Sequence, residues 1–75
     1  MMHDTIVVSE TDVLGDEAIQ MRPMRFDSLD EAFGFIRRQA DYDMVDSVND
    51  CLAEEMKFTL NWKSGNRIHY RVDVI

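Results

Sequence analysis

Asp43-Met44-Val45-Asp46-Ser47-Val48-Asn49-Asp50-Cys51-Leu52-Ala53-Glu54-Glu55-Met56 is the stretch on which the fold turns. At about 100° per residue, Met44, Val45, Val48, Cys51, Leu52 and Met56 share one side of a helical wheel. Asp43, Asp46, Asp50 and Glu54 share the other, and Glu55 is the main exception. That period predicts an amphipathic helix over 43–56. Four carboxylates would then stand in line over about 16 Å, at about 1.5 Å per residue. Like charges at i, i+4 disfavour a helix by a few tenths of a kcal/mol each. No lysine or arginine within the stretch offsets them.

Upstream, Ser28-Leu29-Asp30-Glu31 fits a capping box, with Ser28 as N-cap and Glu31 three residues on. Leu29, Ala32, Phe33, Ile36 and Ala40 form one apolar stripe, and Arg37 and Arg38 suit the negative end of a helix dipole. A helix over about 28–40 follows, with Gly34 inside it. The break falls near Asp41-Tyr42-Asp43, unless one bent helix runs across 28–56. Phe35 lies off the apolar stripe, and Tyr42 would lie on the same side if the helix continued, with Gln39 between them. Exposed aromatics often anchor interfaces.

Downstream, Phe58, Leu60 and Trp62 alternate with Lys57, Thr59, Asn61 and Lys63. Ile68, Tyr70, Val72 and Val74 alternate with Arg67, His69, Arg71 and Asp73. A period of two predicts a hairpin. A three-residue loop at Ser64-Gly65-Asn66 pairs Trp62 with Ile68, Leu60 with Tyr70 and Lys57 with Asp73, keeping the apolar side chains on one face. At the other end Thr5-Ile6-Val7-Val8 reads as a strand. Residues 9–17 read as a polar connection with Gly15 as a turn residue, and Ala18 to Met21 as a second strand ended by Pro23.

These elements predict a single α+β domain over residues 1–75. A small antiparallel sheet of three or four strands carries two helices on one face, in the order ββααββ or βααββ. Trp62, Tyr70, Phe58 and Leu60 would point into the core, and Lys57, Lys63, Arg67, His69 and Arg71 into water.

Seventy-five residues bury only about 60–65% of the unfolded surface, so the stability margin is thin. Cys51 is the only cysteine, which excludes a disulfide framework and points to a reducing compartment. It reads as a small buried apolar residue. The start, Met1-Met2-His3-Asp4-Thr5, lacks the features of a secretory leader. No apolar run approaches the ~20 residues of a membrane span. The expected location is the cytoplasm. The net charge of −7 disfavours direct contact with nucleic acid or an anionic membrane. Charge is unevenly spread: −4 over residues 1–40, −6 over 41–56 and +3 over 57–75.

Catalysis and cofactor binding find no support. His3 sits near the terminus and His69 on the expected outer face of a strand. There is no Gly-x-Ser-x-Gly elbow, and Gly15, Gly34 and Gly65 are too scattered for a phosphate loop. Asp41 and Asp43 begin a pattern like a calcium loop, but Val45 and Asp46 then stand where a ligand and a glycine are needed. The reading is therefore no metal and no cofactor.

What remains is a surface for a protein partner. A row of carboxylates can imitate a row of phosphates and occupy a basic nucleic-acid channel. Asp43, Asp46, Asp50 and Glu54 are the expected contacts, with Phe35 and Tyr42 as apolar anchors. In size, charge and layout, though in no motif, the chain resembles the small acidic inhibitors that phages and mobile elements direct against host defence, the anti-CRISPR and anti-restriction proteins. That resemblance implies a nuclease or its guide complex as the partner. An immunity protein or antitoxin masking a basic toxin would need the same physics. A small-ligand binder or enzyme would need a pocket that so short a chain scarcely provides. The basic sheet face could also meet the acidic helix of a second copy and form a homodimer.

Overall fold

The computed structural model describes residues 5–75, and His3 lies outside them. The elements are β1 (Ile6–Leu14), β2 (Glu17–Gln20), β3 (Met24–Phe26), α1 (Leu29–Arg38), β4 (Val45–Cys51), α2 (Leu52–Glu55), β5 (Lys57–Trp62) and β6 (Arg67–Val74). All six strands belong to one antiparallel sheet, in the order β2-β1-β6-β5-β4, with β3 also on β1. The expected two helices on a small sheet are therefore wrong. There is one substantial helix, and the 43–56 segment is strand β4 followed by a single helical turn.

The helical spacing of that segment has a different origin. The β4–β5 register shifts between Val45 and Ser47, so that Val45 faces Trp62 and Val48 faces Leu60. A bulge adds one residue and lets two strand positions three apart share a face. The apolar residues thus repeat as they would on a helix while lying on a pleated strand. The residue types favoured the strand: Val45, Asp46, Ser47, Val48, Asn49 and Asp50 are all poor helix formers. The helical turn that follows ends at Met56, whose φ of 60° is left-handed and whose N–H donates to the Leu52 carbonyl at 3.1 Å.

β1 is longer than its apolar start suggested. It continues through Leu14 and turns back over Gly15 and Asp16 into β2, pairing Leu14 with Glu17. Gly15 has a φ of 63°. A positive φ at the first of two loop residues is what a type II′ hairpin requires. On the lower half of β1 the partner is β3, with Val8 opposite Met24. Between Thr11–Gln20 and Val8–Met24, Ser9 and Glu10 oppose three residues, Met21, Arg22 and Pro23. Proline is tolerated there because this is an edge.

α1 starts where the capping box placed it, with the Ser28 hydroxyl accepting the Glu31 N–H at 3.1 Å. It ends in a 3-10 turn, Gln39–Asp41, after which Tyr42 is extended. No helix joins 28 to 56. Ala32 and Ile36 of α1 are buried with Ile6, Val8, Leu52, Phe58, Leu60, Tyr70 and Val72. The 57–75 hairpin keeps the expected inner face, but Leu60 pairs with Ile68 and Lys57 with Arg71. The loop is Lys63-Ser64-Gly65, closed by the Trp62 N–H on the Asn66 carbonyl at 2.9 Å, with Gly65 at a φ of 94°. The shift is two residues, so no side chain changes face. Trp62 is half-buried rather than in the core, and so is Cys51. No helix among the described residues is long and apolar enough to cross a membrane.

Candidate functional site

The six acids of residues 41–56, namely Asp41, Asp43, Asp46, Asp50, Glu54 and Glu55, are all exposed. They run from the turns before the edge strand β4, through it, to the helical turn α2 after it, rather than along one helix face. Asp43 sits in the turn entering β4 and Asp46 at its bulge. Asp50 stands at the far end of the strand, about 13 Å from Asp46 at the usual rise. Glu54 follows in α2.

The row is also interrupted by a cation from outside it. The Arg37 Nε donates to Asp50 at 2.8 Å and its second nitrogen at 3.4 Å. The same guanidinium lies 5.5 Å from the centre of the Phe33 ring. Its pKa is raised, chiefly by the Asp50 hydrogen bond and in smaller part by the charges of Asp50 and Glu54. The Asp50 carboxyl is correspondingly held below its ordinary range, first by the Arg37 hydrogen bond. Asp50 also accepts the Leu52 N–H at 3.2 Å, fixing the start of α2. Its carboxylate is thus engaged inside the molecule, while Asp43 and Asp46 make no salt bridge among the described residues.

Phe35 and Tyr42 do not share a helix. Phe35 packs at 5.4 Å on Phe26 and closes the edge of the core. Tyr42 remains 59% exposed beside Met44 at 57%. The exposed apolar side chains next to the acids are therefore Tyr42, Met44 and Val48.

The edge itself is open. In an antiparallel ladder, alternate residues turn their N–H and C=O toward the partner strand. Trp62 bonds toward β6 through Asn66, and Lys63 bonds toward β4 through Met44. With the observed register, Ser47, Asn49 and Cys51 direct their backbone to β5, and Val48 and Asp50 direct theirs outward.

One further group departs from the sequence reading, which took residues 9–17 as a polar connection. On the helix side of β1, Glu10 and Asp12 stand two apart, so their side chains share a face. Burial pushes the Glu10 carboxyl up to about 7, helped by the adjacent Asp12 and opposed by a hydrogen bond to Tyr70. The Tyr70 phenol is raised in turn, mainly by burial and then by Glu10. The Asp12 Oδ1 is buried without a hydrogen-bond partner among the described residues, beside a depression lined by Leu14, Trp62, Ser64, Asn66 and Ile68. The signal was present: odd positions Val7, Thr11 and Val13 are β-branched, and Gly15-Asp16 is a hairpin loop.

The opposite sheet face carries no described helix. Directly opposed side chains form rows across it: Ser9, Arg71, Lys57 and Cys51 in one, and Gln20, Thr11, His69, Thr59 and Asn49 in the next. Thr59 and the His69 Nδ1 are 3.1 Å apart, and Arg71 reaches Asp73 at 3.2 Å.

At a significant level the chain matches no protein-family model, no curated protein and no solved structure.

Proposed function

We propose that the chain is a non-enzymatic protein-binding module whose acid-rich edge, residues 41–56, engages a basic surface on a partner protein. The observation that supports this most is the exposure of all six carboxylates on and beside the edge strand β4, with only Asp50 in a salt bridge among the described residues. Tyr42 and Met44 supply exposed apolar surface at one end of it. On this reading the partner is a nuclease or another nucleic-acid-binding protein, and the carboxylates occupy its phosphate-binding groove. The reducing cytoplasm, where Cys51 stays a thiol, is the place of action.

Asp43 and Asp46 are the informative positions, because Asp50 also holds Arg37 and the start of α2. The test is capture on the full chain from its native cells, run beside the Asp43→Lys, Asp46→Lys double variant. A partner retained by the native chain, released by salt and lost in the variant is the expected outcome. Surface charges are screened within about 8–10 Å at physiological ionic strength, so salt must weaken such a contact. Capture indifferent to both salt and charge reversal would refute the reading.

A further inference from the structure

Lys57 and Arg71 are directly opposite on β5 and β6. The ladder makes them a non-hydrogen-bonded pair, since the Trp62–Asn66 bond places the hydrogen-bonded pairs at 60–68 and 58–70. Side chains come closest at such pairs, and like charges there destabilise a sheet. Arg71 is offset by Asp73, but Lys57 has no salt bridge among the described residues. Next to this pair lie the Thr59 hydroxyl, the His69 ring and, from β1, the hydroxyls of Ser9 and Thr11. The six side chains surround a surface depression of about 260 Å³. Two cations with the Ser9 and Thr59 hydroxyls facing one hollow, beside a Thr11 hydroxyl that donates to the Gln20 Oε1 at 3.3 Å, are complementary to a small multiply charged oxyanion.

The charge of the whole face agrees. Strand positions on this side carry Arg25, Lys57, Arg67 and Arg71, against Asp73 and, at the β4 bulge, Asp46. In a chain of net charge −7 this is a local reversal of sign. A polynucleotide fits less well than a small ligand. His69 is the one aromatic ring among the strand positions of this face, too few for successive bases to stack, and the remaining surface repels a long polyanion.

We propose that the hollow between β1, β6 and β5 binds the dianionic phosphate group of a small phosphomonoester, held by Lys57 and Arg71 with Thr59 and His69 beside them. This site is independent of the acid-rich edge. Inorganic phosphate is the probe. The isotopically labelled full chain is titrated with it at constant ionic strength, with chloride as reference, where phosphate is mostly dianionic. Saturable shifts centred on Lys57, Thr59, His69 and Arg71 are expected. Lys57→Ala and Arg71→Ala should each weaken binding by about tenfold or more, as removal of a charge-assisted contact does. Lys63→Ala, at the hairpin loop, should leave it unchanged. All three positions are exposed, and native spectral dispersion verifies that each variant is folded. Shifts that grow linearly with salt, or that chloride reproduces, would overturn the site. So would equal losses in all three variants, or binding of an oligothymidylate in the absence of phosphate binding.

Discussion

At the scale of single residues, position along a strand decides which charges interact. Glu10 and Asp12 face inward because β1 keeps its alternation past Val8, and nothing in their identity announces it. The Glu10 carboxyl, pushed up to about 7 from an ordinary 4.5, has a measurable consequence. A group with a higher pKa in the folded state binds its proton more tightly there. Its contribution to stability is complete below the unfolded pKa and is lost as pH rises through the folded one. Thermal unfolding should therefore show Tm falling from about pH 4.5 to about pH 7 more steeply in the native chain than in Glu10→Gln. Parallel curves would mean that Glu10 is not held in this way. Asp50 shows the converse. It looked like one member of a solvated row, yet Arg37 approaches it from thirteen residues away, a contact that only the tertiary fold creates.

At the scale of elements, legibility followed the strength of the local signal. α1 was readable because its cap, stripe and terminal arginines agree, and the Ser28–Glu31 bond forms as the capping box requires. The closing hairpin was readable in its faces but not its register. Moving the loop by one position slides the strands by two residues, and the hydrophobic pattern cannot distinguish the two pairings. β4 was misread because its bulge gives a strand the apolar spacing of a helix. Poor intrinsic helix propensity was the better guide there, and pairing with β5 completed what propensity began. Gly34 offers a test within α1. A Cβ placed on it meets nothing within 4 Å, and its backbone is ordinary helix. Gly34→Ala should raise stability by about 0.5–1 kcal/mol in denaturant unfolding. A loss would show that the helix is strained or packed more closely at that turn.

At the scale of the whole molecule, the sheet separates charge into an acid-rich edge and a basic bare face. The acids of β1, Glu10 and Asp12, lie on the helix side, while Lys57, Arg67 and Arg71 lie opposite. The acid-rich edge depends on β4 being a strand, whereas the basic face is set by β1, β6 and β5 alone. As a helix, residues 43–56 would have laid their carboxylates across a covered face and left β5 as the sheet's edge. The candidate interface was thus legible as a charged segment but not as a shape. The most direct measurement is amide hydrogen exchange resolved along 45–52 in the full chain. Slow exchange at Ser47, Asn49 and Cys51, alternating with fast exchange at Val48 and Asp50, is expected of an open edge strand paired to β5. Uniform protection over 47–52 would mean a helix or an edge covered by a partner, and would contradict the account.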